Sequence, residues 1–450
     1  MSKTNSKSQD HTALVEFWKE VERMGGPERY IRSELKRMGV PMRTRIKITR
    51  IKDEKRLKAY IAARKREEDA RSPLRRKVWE AYKATHLVHL GLDLHWNDVV
   101  GVDFFDPYQR KQRLTDNALP ELETVEQLVE ALTEAVPEMN IPMLRWLCYH
   151  REVAKTVHYR PFVIPKKTGG VRHIWAPMPK MKATQRWILT NIAERLPRHG
   201  AAHGFTIGRS IITNARAHVD SQVVVGLDLK DFFPTLTLPR VKGIFRSAGY
   251  LEGISTLLAL LCTESPRLPM RYRDQTVYVA TGPRCLPQGS PASPALTNSA
   301  CMRLDRRLAG LAAKCGWRYT RYADDMTISY PNTGNHGRPR VDRLLGIVNT
   351  IVFEEGFNVH PDKTTVMGPG SRQEVTGLVV NGTGPPRVPR QFRRMLKAAV
   401  NNIQQGKPYH EDESVHTLQG YASFLFSADP EAGRQRLQEV AALTGSLSED

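Results

Sequence analysis

The sequence predicts an α+β protein that begins with a basic, mainly helical region. Three observations support this fold class. Residues 13–38 and 53–85 are charged segments with helical character. Residues 223–227 form an apolar, largely β-branched run that is typical of a buried strand. Residues 317–330 have the pattern of two strands folded back at Ala323-Asp324, so an antiparallel pair of strands is expected among the helices.

The charge of the chain points to a polyanionic partner. The 450 residues include 68 Lys or Arg and 47 Asp or Glu, which gives a formal net charge of +21. Residues 1–85 alone hold 24 basic and 12 acidic residues. So basic a protein repels itself, and binding to nucleic acid relieves the repulsion. We therefore predict that residues 1–118 are a basic N-terminal extension and a candidate nucleic-acid-binding region; a solvated, salt-bridged helical surface is the alternative.

Several other classes of protein are excluded by composition. The sequence has no run of 18 or more apolar residues, so no membrane partner is expected. Residues 1–10 are polar and do not have the pattern of a secretory signal. The cysteines form no CxxC pair, which argues against a zinc ribbon and a disulfide scaffold and favours the reducing cytoplasm. They are Cys148, Cys262, Cys285, Cys301 and Cys315.

The middle of the chain contains both helix and strand signals. Residues 86–118 are predicted to be irregular, and the main domain is predicted to start at 119. Thr124-Val-Glu-Gln127 has the form of a capping box, which predicts a helix start. Residues 160–165 and 171–176 are predicted to form a hairpin around Lys166-Lys-Thr-Gly-Gly170. Further helices are expected at 142–150, 182–196, 239–249, 251–263, 291–315 and 389–444.

Three aspartates lie next to apolar strand segments, where a carboxylate is unfavourable unless it has a partner. Asp324 and Asp325 lie at the tip of an otherwise apolar hairpin, and Asp228 ends the run 223–227. Adjacent carboxylates repel each other unless a cation holds them, and a hard divalent cation prefers oxygen ligands. Two metal ions bridged by carboxylates from different strands are suited to phosphoryl transfer. A solvated Asp-Asp turn, and a helix cap or ion pair at Asp228, are the alternatives.

Four motifs in series resemble those of a known family. They resemble, in order and spacing, the palm motifs of reverse transcriptases, over about residues 120–430. The four motifs are Asp228-xx-Asp231-Phe-Phe233, Leu286-Pro-Gln-Gly-Ser-Pro-Ala-Ser-Pro294, Tyr322-Ala-Asp-Asp325 and Gly356-Phe-Asn-Val-His-Pro-Asp-Lys-Thr364. Two short elements resemble the NAxxH and VTG elements of retron reverse transcriptases, namely Asn214-Ala-Arg-Ala-His218 and Val375-Thr-Gly377. The N-terminal extension is similar to that of longer members.

The resemblance implies a right-hand polymerase with fingers, a palm containing an antiparallel sheet, and a helical thumb. Fingers and palm would occupy 119–384, and the thumb and C-terminal tail 385–450. The implied function is RNA-directed DNA polymerase of a retron. Such an enzyme copies its cognate structured non-coding RNA into branched RNA-linked DNA, within an anti-phage defence system. Deoxynucleoside triphosphates, the RNA, its DNA product and an effector or toxin protein are the implied partners.

The resemblance also implies roles for individual residues. Asp228 and Asp324 would bridge two Mg²⁺ ions, with Asp325 assisting. The residues implied in nucleotide binding are Lys166, Arg172, Phe233, Gln288 and Lys363. Those implied in RNA binding are Asn214, His218, Val375, Thr376, Gly377, Arg390 and Arg394. The alternatives are core packing for Phe233, a structural hydrogen-bonded role for His218 and a solvated helix face for the two C-terminal arginines. The elements around Asn214, His218 and Val375-Thr-Gly377 could instead shape the palm.

Other functions remain open at the level of sequence. An enzyme of the group II intron type, or another defence-associated reverse transcriptase, would share the palm motifs. A non-catalytic RNA-binding protein on a polymerase fold would not need all three aspartates. A metal nuclease would use carboxylates but would need neither residues 286–294 nor Phe233.

Overall fold

The computed structural model describes residues 2–40, 53–88, 90–91, 109–165, 170–332, 339–405, 407 and 414–445. The helices in these ranges are α1 (Ser2–Arg23), α2 (Pro27–Arg37), α3 (Glu54–Thr85), α4 (Arg110–Asp116), α5 (Val125–Leu132), α6 (Ile141–Cys148), α7 (Pro179–Asn191), α8 (Ile211–Arg216), α9 (Leu238–Ala248), α10 (Glu252–Cys262), α11 (Ser293–Ala300), α12 (Met302–Lys314), α13 (Val341–Glu354), α14 (Arg390–Gln404), α15 (Val415–Ala428) and α16 (Pro430–Gly445). The strands are β1 (Val153–Ala154), β2 (Tyr159–Pro165), β3 (Val171–Pro177), β4 (Ser221–Asp228), β5 (Arg267–Tyr272), β6 (Gln275–Ala280), β7 (Arg318–Tyr322), β8 (Asp325–Pro331), β9 (Thr365–Met367), β10 (Glu374–Val375) and β11 (Leu378–Val379). The mixture of helices and antiparallel strands confirms the predicted fold class.

Several local signals in the sequence have the expected effect. Thr124 accepts a hydrogen bond from the Gln127 amide, and the Gln127 side chain bonds back to the Thr124 amide, so the predicted capping box starts α5. The predicted hairpin is present as the antiparallel pair β2–β3. The predicted helix 291–315 is instead two helices, α11 and α12, which meet at Cys301.

The central sheet has four antiparallel strands in the order β7-β8-β4-β9. Val224 and Val225 of β4 are fully buried, as expected of β-branched residues in an interior strand. β4 pairs with β8 on one side and with β9 on the other, so its C-terminal end lies between them. The two strands predicted at residues 317–330 are β7 and β8, and they turn at the predicted position.

A three-stranded sheet, β1-β6-β5, was not predicted from the sequence. Its hairpin β5–β6 turns at Arg273 and Asp274, both of which have positive φ. The edge strand β5 contains Pro269 and leaves Leu268, Met270 and Tyr272 exposed. In the sequence these three residues alternate with Pro269 and Arg271, but in the structure they face solvent, so the alternation does not mark a buried face.

The buried hydrophobic side chains of the described residues form three clusters. The largest extends from Leu87 to Phe357 and surrounds the central sheet, so it begins upstream of residue 119. The second joins Ala215 and Val224 to the C-terminal helices. The buried residues of the third belong to α1, α2 and α3. Within the described ranges, every helix is too short or too polar to cross a membrane.

Candidate active site

The three aspartates meet at one edge of the central sheet. Asp228 is the last residue of β4 and stands directly opposite Asp325, the first residue of β8. Paired residues in antiparallel strands have Cα atoms about 4.5–5.5 Å apart. Asp324 lies in the β7–β8 turn, and its carbonyl accepts a hydrogen bond from the Leu229 amide at 3.0 Å. Residues almost a hundred positions apart are thereby brought together by strand pairing.

The conformation of the β7–β8 turn is fixed from several sides. Ala323 has φ 58°, in the left-handed region that a non-glycine residue rarely adopts. Gly204 packs so closely that a Cβ atom there would lie 2.5 Å from the Ala323 nitrogen. The Arg321 guanidinium donates to the Ala323 carbonyl at 2.9 Å. These contacts compensate for the strain and hold Asp324 and Asp325 at the sheet edge.

Arg321 is held in turn by a buried carboxylate. Both Arg321 and Asp305 of α12 are fully buried. Arg321 donates to the Asp305 carboxylate through Nε at 2.8 Å and Nη2 at 2.7 Å, and Tyr319 donates its hydroxyl at 2.8 Å. Sequence reasoning missed both residues. A signal was present only in part, because Arg321 lies in a strand whose other residues include Arg318 and Thr320, and only its burial shows that it requires a partner.

The acidic centre is electrostatically strained. Burial raises the pKa of Asp324, and the charge of Asp228 adds to the effect. Asp325 is open to solvent, yet dense protein surroundings desolvate it. This desolvation, with the charges of Asp324 and Asp228, raises the pKa of Asp325 to about 6. Carboxylates that resist ionisation together form a site that a cation stabilises.

A protein cation already binds one of the three carboxylates. The ammonium group of Lys363 lies 2.8 Å from Asp228 Oδ2, and the His360 amide donates to the Asp228 carbonyl at 2.7 Å. The fourth motif thus lies directly against the first. In the part of the chain that the structure describes, no three His, Cys, Asp or Glu side chains converge closely enough to coordinate a metal. The donor set nevertheless fits hard divalent cations, because all of its ligands would be carboxylate oxygens. The half-exposed Lys363 on Asp228 shows that this edge of the sheet stabilises positive charge.

The predicted nucleotide-binding residues lie around this centre to different degrees. Arg172 of β3 acts on Asp324, because its positive charge works to lower the pKa of that carboxyl. Phe233 is half-buried on the turn after β4, with its ring 5.6 Å from that of Phe232. Lys166 lies outside the described residues.

The Pro-Gln-Gly turn has a packing role that the sequence did not indicate. The Gln288 carbonyl accepts a hydrogen bond from the Trp175 amide at 2.7 Å. Gly289 has φ 122°, and a Cβ atom there would lie 2.8 Å from the Trp175 carbonyl oxygen. The glycine therefore allows the β2–β3 hairpin to pack against this turn. The Gln288 side chain is half-buried.

Three of the residues predicted to bind RNA are buried, which argues against direct contact between them and RNA. Asn214 and His218 are fully inaccessible to solvent, and Val375 is 2% exposed. The His218 ring bonds to Ser329 Oγ at 2.8 Å and Thr320 Oγ1 at 2.7 Å, so it joins β7 to β8. Burial lowers the pKa of His218 to about 3, which keeps the ring neutral. The alternative in which these residues shape the palm agrees with their placement.

The other predicted RNA-binding residues are accessible. Thr376 and Gly377 have positive φ and form the tight turn between β10 and β11. Thr376 Oγ1 donates to the Ile211 carbonyl of α8 at 3.1 Å. Arg390 and Arg394 are exposed on one face of α14 and line a surface groove.

An antiparallel palm-like sheet with one carboxylate at the end of a strand, one in the adjoining turn and one at the start of the neighbouring strand is typical of a template-directed polymerase. The sequence matches the reverse transcriptase (RNA-dependent DNA polymerase) family over residues 164–399. The chain belongs to the retron reverse transcriptases, and it is an RNA-directed DNA polymerase.

Three relatives illustrate the assignment. The Retron Mx162 reverse transcriptase of Myxococcus xanthus is 44% identical, over 99% of this chain and 93% of the relative. The Retron Mx65 reverse transcriptase of the same organism is 39% identical over 71% of each chain. The Retron Ec86 reverse transcriptase of Escherichia coli is 30% identical, over 75% of this chain and 94% of the relative. A solved telomerase from Candida albicans aligns with 12% identity over 72% of this chain and 58% of that chain, at a TM-score of 0.41.

Proposed function

We propose that this chain copies a cognate structured non-coding RNA into DNA that stays linked to the RNA as a branched product. The observation that carries the proposal is the pairing of Asp228 with Asp325 beside Asp324 at one sheet edge. Membership of the retron reverse transcriptases supports the retron-specific part. Action within an anti-phage defence system, with an effector or toxin protein as partner, belongs to the same proposal. The scattered cysteines support placement in the cytoplasm.

Asp228, Asp324 and Asp325 would hold two Mg²⁺ ions. Bound there, the ions would lower the pKa of the attacking hydroxyl and stabilise the charge of the leaving pyrophosphate. The chain itself contributes position and charge. Strand pairing fixes the carboxylates, and Lys363 supplies a positive charge that can transfer from Asp228 to phosphate when cations occupy the carboxylates.

The remaining site residues have supporting roles in the proposal. Arg172, near the acidic centre, and Lys166 would bind the triphosphate. Phe233 would exclude a 2′-hydroxyl, and Gln288 would contact the incoming nucleotide. We propose 1–118 as N-terminal extension, 119–384 as fingers and palm, and 385–450 as thumb and tail. Thr376, Gly377, Arg390 and Arg394 would contact RNA at the thumb.

The decisive test is primer extension on an RNA template with the full-length protein, deoxynucleotides and Mg²⁺. We expect template-dependent DNA synthesis, its loss in Asp324→Asn, and its retention in Asp274→Asn, an exposed aspartate in the β5–β6 turn. Asn tolerates the positive φ at residue 274, so this control leaves the fold intact. Synthesis that survives Asp324→Asn would refute the assignment of the catalytic centre.

The retron-specific part needs a second experiment. Nucleic acid that co-purifies with the protein is sequenced before and after treatment with a 2′,5′-debranching enzyme. We expect DNA covalently joined to one structured RNA, and its release by debranching. DNA with no such linkage would leave a reverse transcriptase of another type, such as one related to group II introns.

A further inference from the structure

The N-terminal helices present a surface that the polymerase site does not use. α1, α2 and α3 share their own hydrophobic cluster, built around Trp18, Val21, Tyr30 and Leu35. The end of α3 is fastened to the rest of the protein, because Arg145 of α6 donates to the Lys83 carbonyl at 3.2 Å. The outward side of α3 therefore has a fixed position relative to the fingers.

An aromatic stack stands at the C-terminal end of this surface. The rings of Trp79 and Tyr82 are 5.5 Å apart with an interplanar angle of 17°, and those of Tyr82 and His86 are 4.2 Å apart at 12°. Trp18 packs edge-on against Tyr82 and His86 at 5.1 and 5.2 Å, which immobilises the stack. Trp79 is the open end and is 50% exposed. The exposed indole therefore offers a flat aromatic face that the stack holds in place.

Positive charge continues from the stack along α3. The helix holds eleven Lys or Arg and five Asp or Glu. Most of these acids pair with neighbouring cations, as in Arg64–Glu67 and Arg75–Glu68. Lys65 and Arg76 are exposed and have no carboxylate partner within the described residues. Residues 65, 76 and 79 share one helix face, a stripe about 21 Å long at 1.5 Å per residue, whereas Lys83 beyond it pairs with Glu80.

We propose that this α3 stripe binds a single-stranded segment of RNA, with one base stacked on Trp79 and phosphates at Lys65 and Arg76. Proteins that bind single strands without reading sequence combine cations for the phosphates with aromatic rings for the bases, and the stripe offers Lys65 and Arg76 beside the exposed ring of Trp79. A duplex has no free base face to offer the indole. The inference rests on the proposed function only for the choice of RNA as the nucleic acid.

The test is binding of a fluorescein-labelled single-stranded oligoribonucleotide to the full-length protein, with excess unlabelled primer–template duplex filling the polymerase cleft. We expect Trp79→Ala to raise Kd by about 5- to 150-fold, and Trp79→Phe to stay near wild type because it keeps a ring. Trp146→Ala is the matched control, since Trp146 is a similarly exposed tryptophan (49%) that packs against His158 rather than in the stack, and it should leave Kd unchanged. The pair Lys65→Gln and Arg76→Gln should lower the slope of log K against log salt by about 1.4.

Four outcomes would overturn the proposal. The first is unchanged Kd in Trp79→Ala, and the second is an equal loss in Trp146→Ala. The third is equal competition by a hairpin RNA of the same length, which would mark a duplex-binding face. The fourth is preferential binding to vesicles containing phosphatidylserine, which would mark a membrane-binding face. Primer extension is measured on each variant in parallel. If the wild type bound RNA through Trp79 but failed to extend primers, the polymerase proposal would fail while the α3 site would stand.

Discussion

The buried pair Asp305–Arg321 gives the sharpest prediction, because it links stability to the position of the catalytic turn. Asp305→Ala leaves a guanidinium with no exposed surface and no counter-charge, and it removes the acceptor of the Tyr319 hydroxyl. Breaking a buried pair from one side costs about 3–5 kcal/mol. We expect the free energy of unfolding, measured by urea denaturation, to fall by that amount.

A double variant separates stability from positioning. Replacing a buried ion pair by apolar residues of similar volume is often neutral for stability. Asp305→Leu combined with Arg321→Met should therefore recover most of the unfolding free energy. It cannot restore the hydrogen bond from Arg321 to the Ala323 carbonyl, so the strained turn stays unsupported. We expect the rate of single-nucleotide incorporation to remain low while KM for the nucleotide changes little.

An exposed ion pair serves as the control for the buried pair Asp305–Arg321. Glu138→Ala removes an ion pair with Lys180 in which both side chains are about half exposed, and it should cost less than about 1 kcal/mol. A loss in Asp305→Ala no larger than this control would refute the energetic argument. A double variant that recovers both stability and incorporation rate would show that the pair does not position the turn.

Two further predictions concern the acidic centre and its surroundings. Phe233→Ala should reduce the preference for dGTP over GTP, measured as the ratio of kcat/KM values, by about tenfold or more if the ring excludes the 2′-hydroxyl; an unchanged ratio with lower stability would instead support core packing. The pKa of Asp325 is raised to about 6, so below that pH its carboxyl is mostly protonated and a cation must displace the proton in order to bind. Mn²⁺ binding, followed by electron paramagnetic resonance, should therefore be about tenfold weaker at pH 5 than at pH 7.5, and Asp325→Asn should flatten this dependence; a wild-type Kd that is constant over this range would contradict the assignment.

The sequence predicted those features that depend on local patterns. The run 223–227 predicted β4, and its C-terminal aspartate identified the sheet edge. The hairpin at Ala323-Asp324 and the capping box at Thr124 were also predicted correctly, because turn and cap residues determine the conformation of their immediate sequence neighbours. The resemblance of the four motifs to a known family added the prediction that these elements belong to one palm.

What the sequence could not predict depends on long-range contacts. The β5–β6 hairpin joins a sheet with β1, which lies more than a hundred residues earlier, and nothing near the hairpin in sequence identifies that partner. The split of the predicted helix 291–315 at Cys301 shows how tertiary packing overrides a continuous helical pattern. The tight approach of Gly289 to Trp175 was invisible for the same reason, since a glycine in a turn does not identify its neighbour.

The placement of the two retron-like elements gives them a common structural role. α8, which carries Asn214, and the β10–β11 turn, which carries Thr376, are joined by the Thr376 bond to Ile211. Gln373, just before that hairpin, donates to the Ser221 carbonyl at the start of β4. The same hydrophobic cluster contains Ala215, Val224 and the C-terminal helices.

The thumb helices therefore reach the central sheet through these two elements. His218 extends the connection by bonding to hydroxyls on β7 and β8, the strands that flank the catalytic turn. α8, the β10–β11 hairpin and α14 thus share one buried cluster with β4, and packed interiors transmit displacement rather than absorb it. The burial of Asn214, His218 and Val375 in this region agrees with a structural role for the two elements.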